Sequence, residues 1–406
     1  MAWRPPAAWL ARVRDWSPAV GLFGRGIRVL AVRLAMVILL TSLSVLAVPI
    51  AVTTLTSAVP PPPAGWTTAF SDNFSGSAGS GVDSAWTYDT GDQYHGTACQ
   101  AHWASGEIET DTNSAANVSE DGSGHLNITP VDINGAWTSG RIETVQEFTP
   151  PAGGEMQVSA LIKQPDPSSG LGYWAAFWML GAGYRSSGAG TSGTMNCSTW
   201  PAVGEINVME DVNASSQVSG TLHCGTFPAG PCNEGIGLTS GLQACPGCQT
   251  GYNTYSVIIN RTNPSNESIT WYLNGTAFHT VTESQAGTAT WQAAVDHGFF
   301  LILEVGIGGD YPNGACGCTT PSGHTASGAP MSVGYVAVQT SNGTDSATTP
   351  SSSPSASASP SPSPSASASP SPSPSASGGG GKTCTDAPWW RWSWTACPTR
   401  WWEAWR

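Results

Sequence analysis

Lysine is nearly missing from this 406-residue chain, which has only Lys163 and Lys382. Charge of either sign is scarce, at 10% of residues, and the formal balance is −13. A chain so poor in cations has little with which to neutralise phosphates, so a nucleic-acid partner is excluded. No long stretch carries apolar residues at the helical period, which argues against a helical fold. Two close cysteine pairs, Cys245-Pro-Gly-Cys248 and Cys316-Gly-Cys318, have spacings that metal or redox sites use. Their flanks are loop-like and the expected compartment is oxidising, so they read as disulfides and no metal is expected there.

What the chain does have is glycine, 48 residues of it, and 19 tryptophans. Short runs rich in Val, Ile, Thr, Tyr and Trp are broken by Gly, Asn, Asp and Ser. Ser256-Val-Ile-Ile-Asn260, Ile269-Thr-Trp-Tyr-Leu273 and Val333-Gly-Tyr-Val-Ala-Val338 read as strands. Asn274-Gly275 after the second of these is a hairpin signal. Many short strands separated by turn signals imply an all-β sandwich or jelly roll. Tryptophan faces stack on sugar rings as readily as they fill cores, so the count alone does not choose between the two. Of ten cysteines, eight lie between Cys99 and Cys318, enough for four disulfides whose connectivity the spacing leaves open.

Residues 1–58 look like an export segment. Arg4, Arg12, Arg14, Arg25, Arg28 and Arg33 precede an apolar stretch from Leu34 to Val52. Small residues at Thr56 and Ala58, or at Val45 and Ala47, suit cleavage. An uncleaved anchor would be the only route to a membrane, because the apolar stretch is nearly long enough to span. A short Pro-rich spacer covers 59–65, and a uniform strand-and-turn texture runs over 66–340. Residues 341–381 form a Ser/Pro/Ala/Gly linker, which cannot bury a core and is expected to be extended and disordered. Residues 382–406 hold seven tryptophans and two cysteines, too few residues for an ordinary core. They read as a truncated carbohydrate-binding module or a small aromatic tail closed by Cys384 and Cys397. A secreted, extracellular monomer is expected.

The run Gly204-Glu-Ile-Asn-Val-Met-Glu210 carries the chemistry. In a strand, side chains alternate faces, so Glu205 and Asn207 point one way and Glu210 the other. One extra residue bulged out near Met209 would return Glu210 to the face of Glu205. Two carboxyls about 5–5.5 Å apart are the arrangement of a retaining glycosidase, in which one attacks the anomeric carbon and the other handles the proton. The two groups must sit in different environments, since one stays ionised and the other holds a proton near neutral pH. Two glutamates at this spacing on an exposed strand edge would look the same in sequence.

The surroundings decide between these. The motif resembles the Glu-Ile-Asp-Ile-Met-Glu signature of glycoside hydrolase family 16, in its laminarinase-type, endo-β-1,3-glucanase branch. Phe70-Ser-Asp-Asn-Phe74, Trp86-Thr-Tyr-Asp-Thr90, Thr138-Ser-Gly-Arg-Ile142, Ala176-Phe-Trp-Met-Leu180, Trp200-Pro-Ala, Thr221-Leu-His223, Ile269-Thr-Trp-Tyr-Leu273 and Phe299-Phe-Leu-Ile-Leu303 fall in the family's order. The resemblance spans about Trp66 to Thr340. It implies a concanavalin-like jelly roll of two antiparallel sheets with a concave substrate cleft. It implies Glu205 as nucleophile and Glu210 as general acid/base, with Trp178, Trp200, Arg141 and His223 lining the cleft. The implied tryptophans stack on sugars and Arg141 bonds hydroxyls. Trp178 reads equally as core, and His223 as a structural histidine.

Two positions depart from the family. Asn207 stands where the family has Asp, and it donates through its amide but carries no charge. Without that like-charged neighbour, the acidic limb of the pH–rate profile is expected to lie lower than in an Asn207→Asp variant. Asn73 and Gly334 stand where the family's calcium site has carboxylates, so that site is expected to be absent or weak. The Cys-rich insert from Cys224 to Cys248 is not part of the common pattern, which leaves a β-1,3-galactan or another polysaccharide as a rival substrate. A non-catalytic sugar-binding jelly roll and a transglycosylase are the other rivals, and retention of both glutamates speaks against the first of these.

Overall fold

The structure, a computed structural model, describes residues 58–341 and the strand Ala347–Thr348. The expected export segment before Ala58, the remainder of the linker, and the Trp-rich tail with Cys384 and Cys397 lie outside the described residues. Two large antiparallel sheets face each other. The outer one runs Thr276–Thr282, Ser268–Leu273, Asn253–Asn260, Glu155–Lys163, Met331–Ser341, Leu126–Ile128 and Val118–Glu120, with Trp66–Asp72 also paired to Met331–Ser341. The inner one has at its centre Gln217–His223, Glu205–Val212, Tyr173–Gly181 and Phe299–Ile307, followed through Arg141–Thr144 by Trp86–Asp89. The three strands read from sequence lie in the outer sheet. Asn274 and Gly275 make the hairpin there, both at positive φ (50° and 75°), the left-handed pair that a two-residue turn requires.

Alternation along the strands builds the core. In Glu155–Lys163, Met156, Val158, Ala160 and Ile162 point inward. Across from them, Phe177 and Met179 of Tyr173–Gly181 and Leu301, Leu303 and Val305 of Phe299–Ile307 do the same. Each such side chain, fully buried, contributes roughly 1.5–3 kcal/mol. The alternate residues of these two inner strands, Ala176, Trp178, Leu180, Phe300 and Ile302, form a separate apolar layer on the other face of the sheet. That face is the one the motif strand presents with its carboxyls.

The helices are short: Glu283–Ala286, Thr288–Val295 and Asp310–Cys316 among the described residues. Sequence periodicity misses them because none exceeds about two turns. They matter locally. Thr288–Val295 buries Trp291 and packs the carbonyl of Ala294 against Gly204, where an added Cβ would meet it at 2.0 Å. With φ at +78°, Gly204 is therefore restricted to glycine at the entrance to the motif strand.

All eight cysteines of the domain are in disulfides: Cys99–Cys197, Cys224–Cys232, Cys245–Cys248 and Cys316–Cys318. The two close pairs thus hold each other rather than a metal. Cys99–Cys197 spans 98 residues and anchors the segment leading to Trp200. Closing a loop of that length constrains the unfolded chain by about 4–5 kcal/mol in the chain-entropy account.

Candidate active site

The motif strand pairs with Tyr173–Gly181 in a register that slips once. Ala176 faces Glu210 and Phe177 faces Met209, but Trp178 faces Asn207, so Val208 is the extra residue. The same slip appears on the other side, where Asn207 faces Thr221 and Glu210 faces Ser219. Val208 and Met209 consequently both turn into the core, beside Ile206. Glu205, Asn207 and Glu210 are left together on the opposite face, as the expected bulge requires. A bulge strands a backbone polar group, and here the outer sheet satisfies it. Trp271, fully buried, donates its indole N–H to the carbonyl of Asn207 at 2.7 Å.

The two glutamates sit in different surroundings. Glu205 retains partial solvent exposure and accepts the indole N–H of Trp200 at 2.8 Å. Its other oxygen lies 3.9 Å from Nε2 of His223, its direct cross-strand partner. Glu210 is 4% exposed and accepts the indole N–H of Trp174 at 3.1 Å. Burial pushes its carboxyl up to about 7, helped by the nearby Glu205 and Glu304 and opposed by His223 and the Trp174 bond. Glu210 therefore keeps a proton close to neutral pH, which a general acid must do.

The chain is 45% identical to the endo-1,3-beta-glucanase of Streptomyces sioyaensis, covering 99% of that solved structure with 70% of its own length, at a TM-score of 0.64. The chain belongs to glycoside hydrolase family 16. The endo-beta-1,3-glucanase of Pyrococcus furiosus is 28% identical over 94% of its length and 68% of this chain, with a TM-score of 0.51. The laminarinase of Flavobacterium sp. UMI-01, at 22% identity and a TM-score of 0.51, shares the fold. No protein-family model matches the chain, and no curated protein does.

The family's cleft positions are distributed unequally around the two carboxyls. Trp200 lies partly exposed at the Glu205 end, with its ring 6.4 Å from that of Phe227 in the Cys-rich insert. The two rings line one groove with Val203, Gly225 and Thr226. Trp178, 8% exposed, belongs to the apolar layer of the cleft floor, so it packs and faces the cleft at once. Arg141 does not present its guanidinium freely. It is 4% exposed, and its Nε, Nη1 and Nη2 donate to Asp89 (3.2 Å), Glu304 (2.6 Å) and the Tyr94 hydroxyl (3.3 Å). Its charge lies 4.8 Å under the Trp178 ring and 4.4 Å from that of Trp103. The expected bonding of sugar hydroxyls thus gives way to support of the cleft floor.

Register explains this. Ser219, Glu210, Ala176, Glu304, Arg141 and Asp89 are successive cross-strand partners, one row of side chains across the inner sheet. Burial raises the Glu304 carboxyl to about 7 against the pull of Arg141. Trp174 and Glu304 were not singled out from sequence, though alternation from Trp178 and Phe300 places both on the cleft face. The calcium positions offer no carboxylate: Asn73 is an exposed amide and Gly334 has no side chain. The nearby Asp72 already accepts the Phe74 N–H and the Trp86 indole N–H, both at 2.8 Å. This donor set does not fit Ca²⁺, which takes six or more oxygen ligands. Adding EDTA is expected to shift the melting temperature by less than about 1 °C in differential scanning fluorimetry, whereas a structural ion would add stability in proportion to its binding.

Proposed function

We propose that the chain is a secreted, monomeric endo-glycosidase that cleaves β-1,3-linked glucan with retention, Glu205 acting as nucleophile and Glu210 as general acid/base. The observation that carries it is the bulge, which puts a partly exposed carboxylate bonded by Trp200 beside a buried carboxyl that holds its proton to about 7. Glu205 attacks the anomeric carbon while Glu210 protonates the departing glycosidic oxygen, and the C–O bond breaks as the glycosyl ester forms. Glu210, now ionised, removes a proton from water. The resulting attack breaks the ester and returns Glu205 as carboxylate. The Trp200 N–H and the neighbouring His223 stabilise that returning charge. The named activity of the Streptomyces sioyaensis relative supports the substrate class. Four disulfides and the basic-then-apolar leader support export.

The test is a panel of laminarin, mixed-linkage glucan, β-1,3-galactan and agarose, each incubated with wild type and with Glu205→Gln. Oligosaccharides released from laminarin and lost in the variant are expected. Release from galactan alone would overturn the sugar, and binding to every polymer without turnover would overturn the chemistry.

A further inference from the structure

His223 ends the strand Gln217–His223 directly opposite Glu205. The chain then enters the insert closed by Cys224–Cys232 and returns at Glu234, whose side chain is wholly buried. One carboxylate oxygen of Glu234 is 2.8 Å from Nδ1 of His223, and the other accepts the Cys224 N–H at 2.7 Å. The remaining ring nitrogen, Nε2, lies 3.9 Å from Glu205, and the Trp200 ring covers the imidazole at 5.8 Å. The charged groups facing His223 are Glu205, Glu234 and Glu210.

We propose that Glu234 is a positioning residue: through Nδ1 it fixes His223 as a cation aimed at Glu205. The proposal rests on the assignment of Glu205 as nucleophile and extends it, because the insert then supplies part of the machinery. A carboxylate on Nδ1 requires a proton there and orients the ring, leaving Nε2–H to face the nucleophile. Burial disfavours the charge, but three surrounding carboxylates outweigh it and raise the imidazole to about 9. A fixed cation at that place stabilises Glu205 as the leaving carboxylate of the glycosyl ester. The Cys224 N–H bond holds Glu234 so that its charge stays in place.

The test is Glu234→Gln, which keeps the size and one acceptor but removes the charge. The first readout is the His223 imidazole titration by ¹⁵N NMR in the substrate-free enzyme. The second is kcat and KM, measured separately, on the substrate the wild type cleaves. His223 is expected to titrate at least about one pH unit lower in the variant. Turnover is expected to fall roughly 10- to 100-fold with KM changed less than about threefold, since the charge matters most when Glu205 leaves. A Cys224→Ser/Cys232→Ser variant, which opens the loop but keeps the Glu234 charge, is expected to leave the His223 titration near that of the wild type. An unchanged titration in Glu234→Gln overturns the proposal. The titration needs no substrate, so it judges Glu234 even if the wild type cleaves none of the four polymers, a result that would overturn the function instead.

Discussion

Glu205→Gly is expected to lower turnover of an activated aryl β-glucoside oligomer at least about a thousandfold, and added azide is expected to restore part of the rate with an α-glycosyl azide as product. The anomer is what makes this decisive. Removing the Glu205 side chain leaves a space bordered by the Trp200 N–H and His223, both disposed to hold an anion. Azide in that space attacks from the face that Glu205 used, in a single displacement, and inverts the configuration. In Glu210→Gly the aryl group leaves without a proton, the glycosyl ester forms on Glu205, and azide replaces water in the second step. Two displacements give the β-azide. Opposite anomers from the two variants would fix both roles, which their positions on one strand face do not do alone. A β-azide from Glu205→Gly would reverse the assignment. The loss is not expected to come from unfolding. Glu205 is partly exposed and its removal costs one hydrogen bond, about 1 kcal/mol.

The motif was legible because two local rules intersect in it: alternation, and the single residue needed to break alternation. The same rules extended to Ala176-Phe-Trp178 and Phe300-Leu-Ile302 would have found Trp174 and Glu304. Glu234 carried no such signal. Its partner His223 is near in sequence, but the loop between them has no periodicity from which a return path can be read. Arg141 was placed in the cleft, yet its engagement depends on Asp89 and Glu304, which are 52 and 163 residues away. Gly106-Glu-Ile-Glu-Thr-Asp111 was not singled out from sequence either. Strict alternation there reads as acidic side chains in water and an apolar one inside. The fold does the reverse: Ile108 is 44% exposed, while Glu107, Glu109 and Asp111 are buried. They are held by polar partners, two of them just upstream and one from a distant strand. Ser105 donates to Glu107 at 2.6 Å, the Ile307 N–H to Glu109 at 2.7 Å, and the Trp103 indole to Asp111 at 2.9 Å.

That inverted segment leads to the second large effect, an enzyme more stable in mild acid than in alkali. Burial is the leading cause that raises the carboxyls of Asp89, Glu107 and Asp111 well above their usual range, Glu109 to about 8 and Glu304 to about 7. The neighbouring Glu109 adds to the rise of Glu107, and Asp111 to that of Glu109. Below pH ~4 these groups are protonated both folded and unfolded, so they cost the fold nothing. As pH rises, the unfolded chain releases its protons first while the folded chain retains them. Stability is therefore lost progressively up to about pH 8, as the folded groups are forced to ionise. His223 acts in the same direction, because the stability of its cation disappears as pH passes about 9. Asp121, raised by burial but lowered overall by its bonds to Ser123 and His125, acts oppositely, but it is partly exposed and its effect is small. A net loss of about 4 kcal/mol between pH 5 and pH 9 corresponds to a melting temperature lower by roughly 10 °C in a domain of this size. Glu109→Gln is expected to flatten that slope. Its amide oxygen can accept the Ile307 N–H, so that bond persists without a proton to lose. A melting temperature that holds level or climbs from pH 5 to 9 would show that Arg141 compensates the buried carboxylates fully.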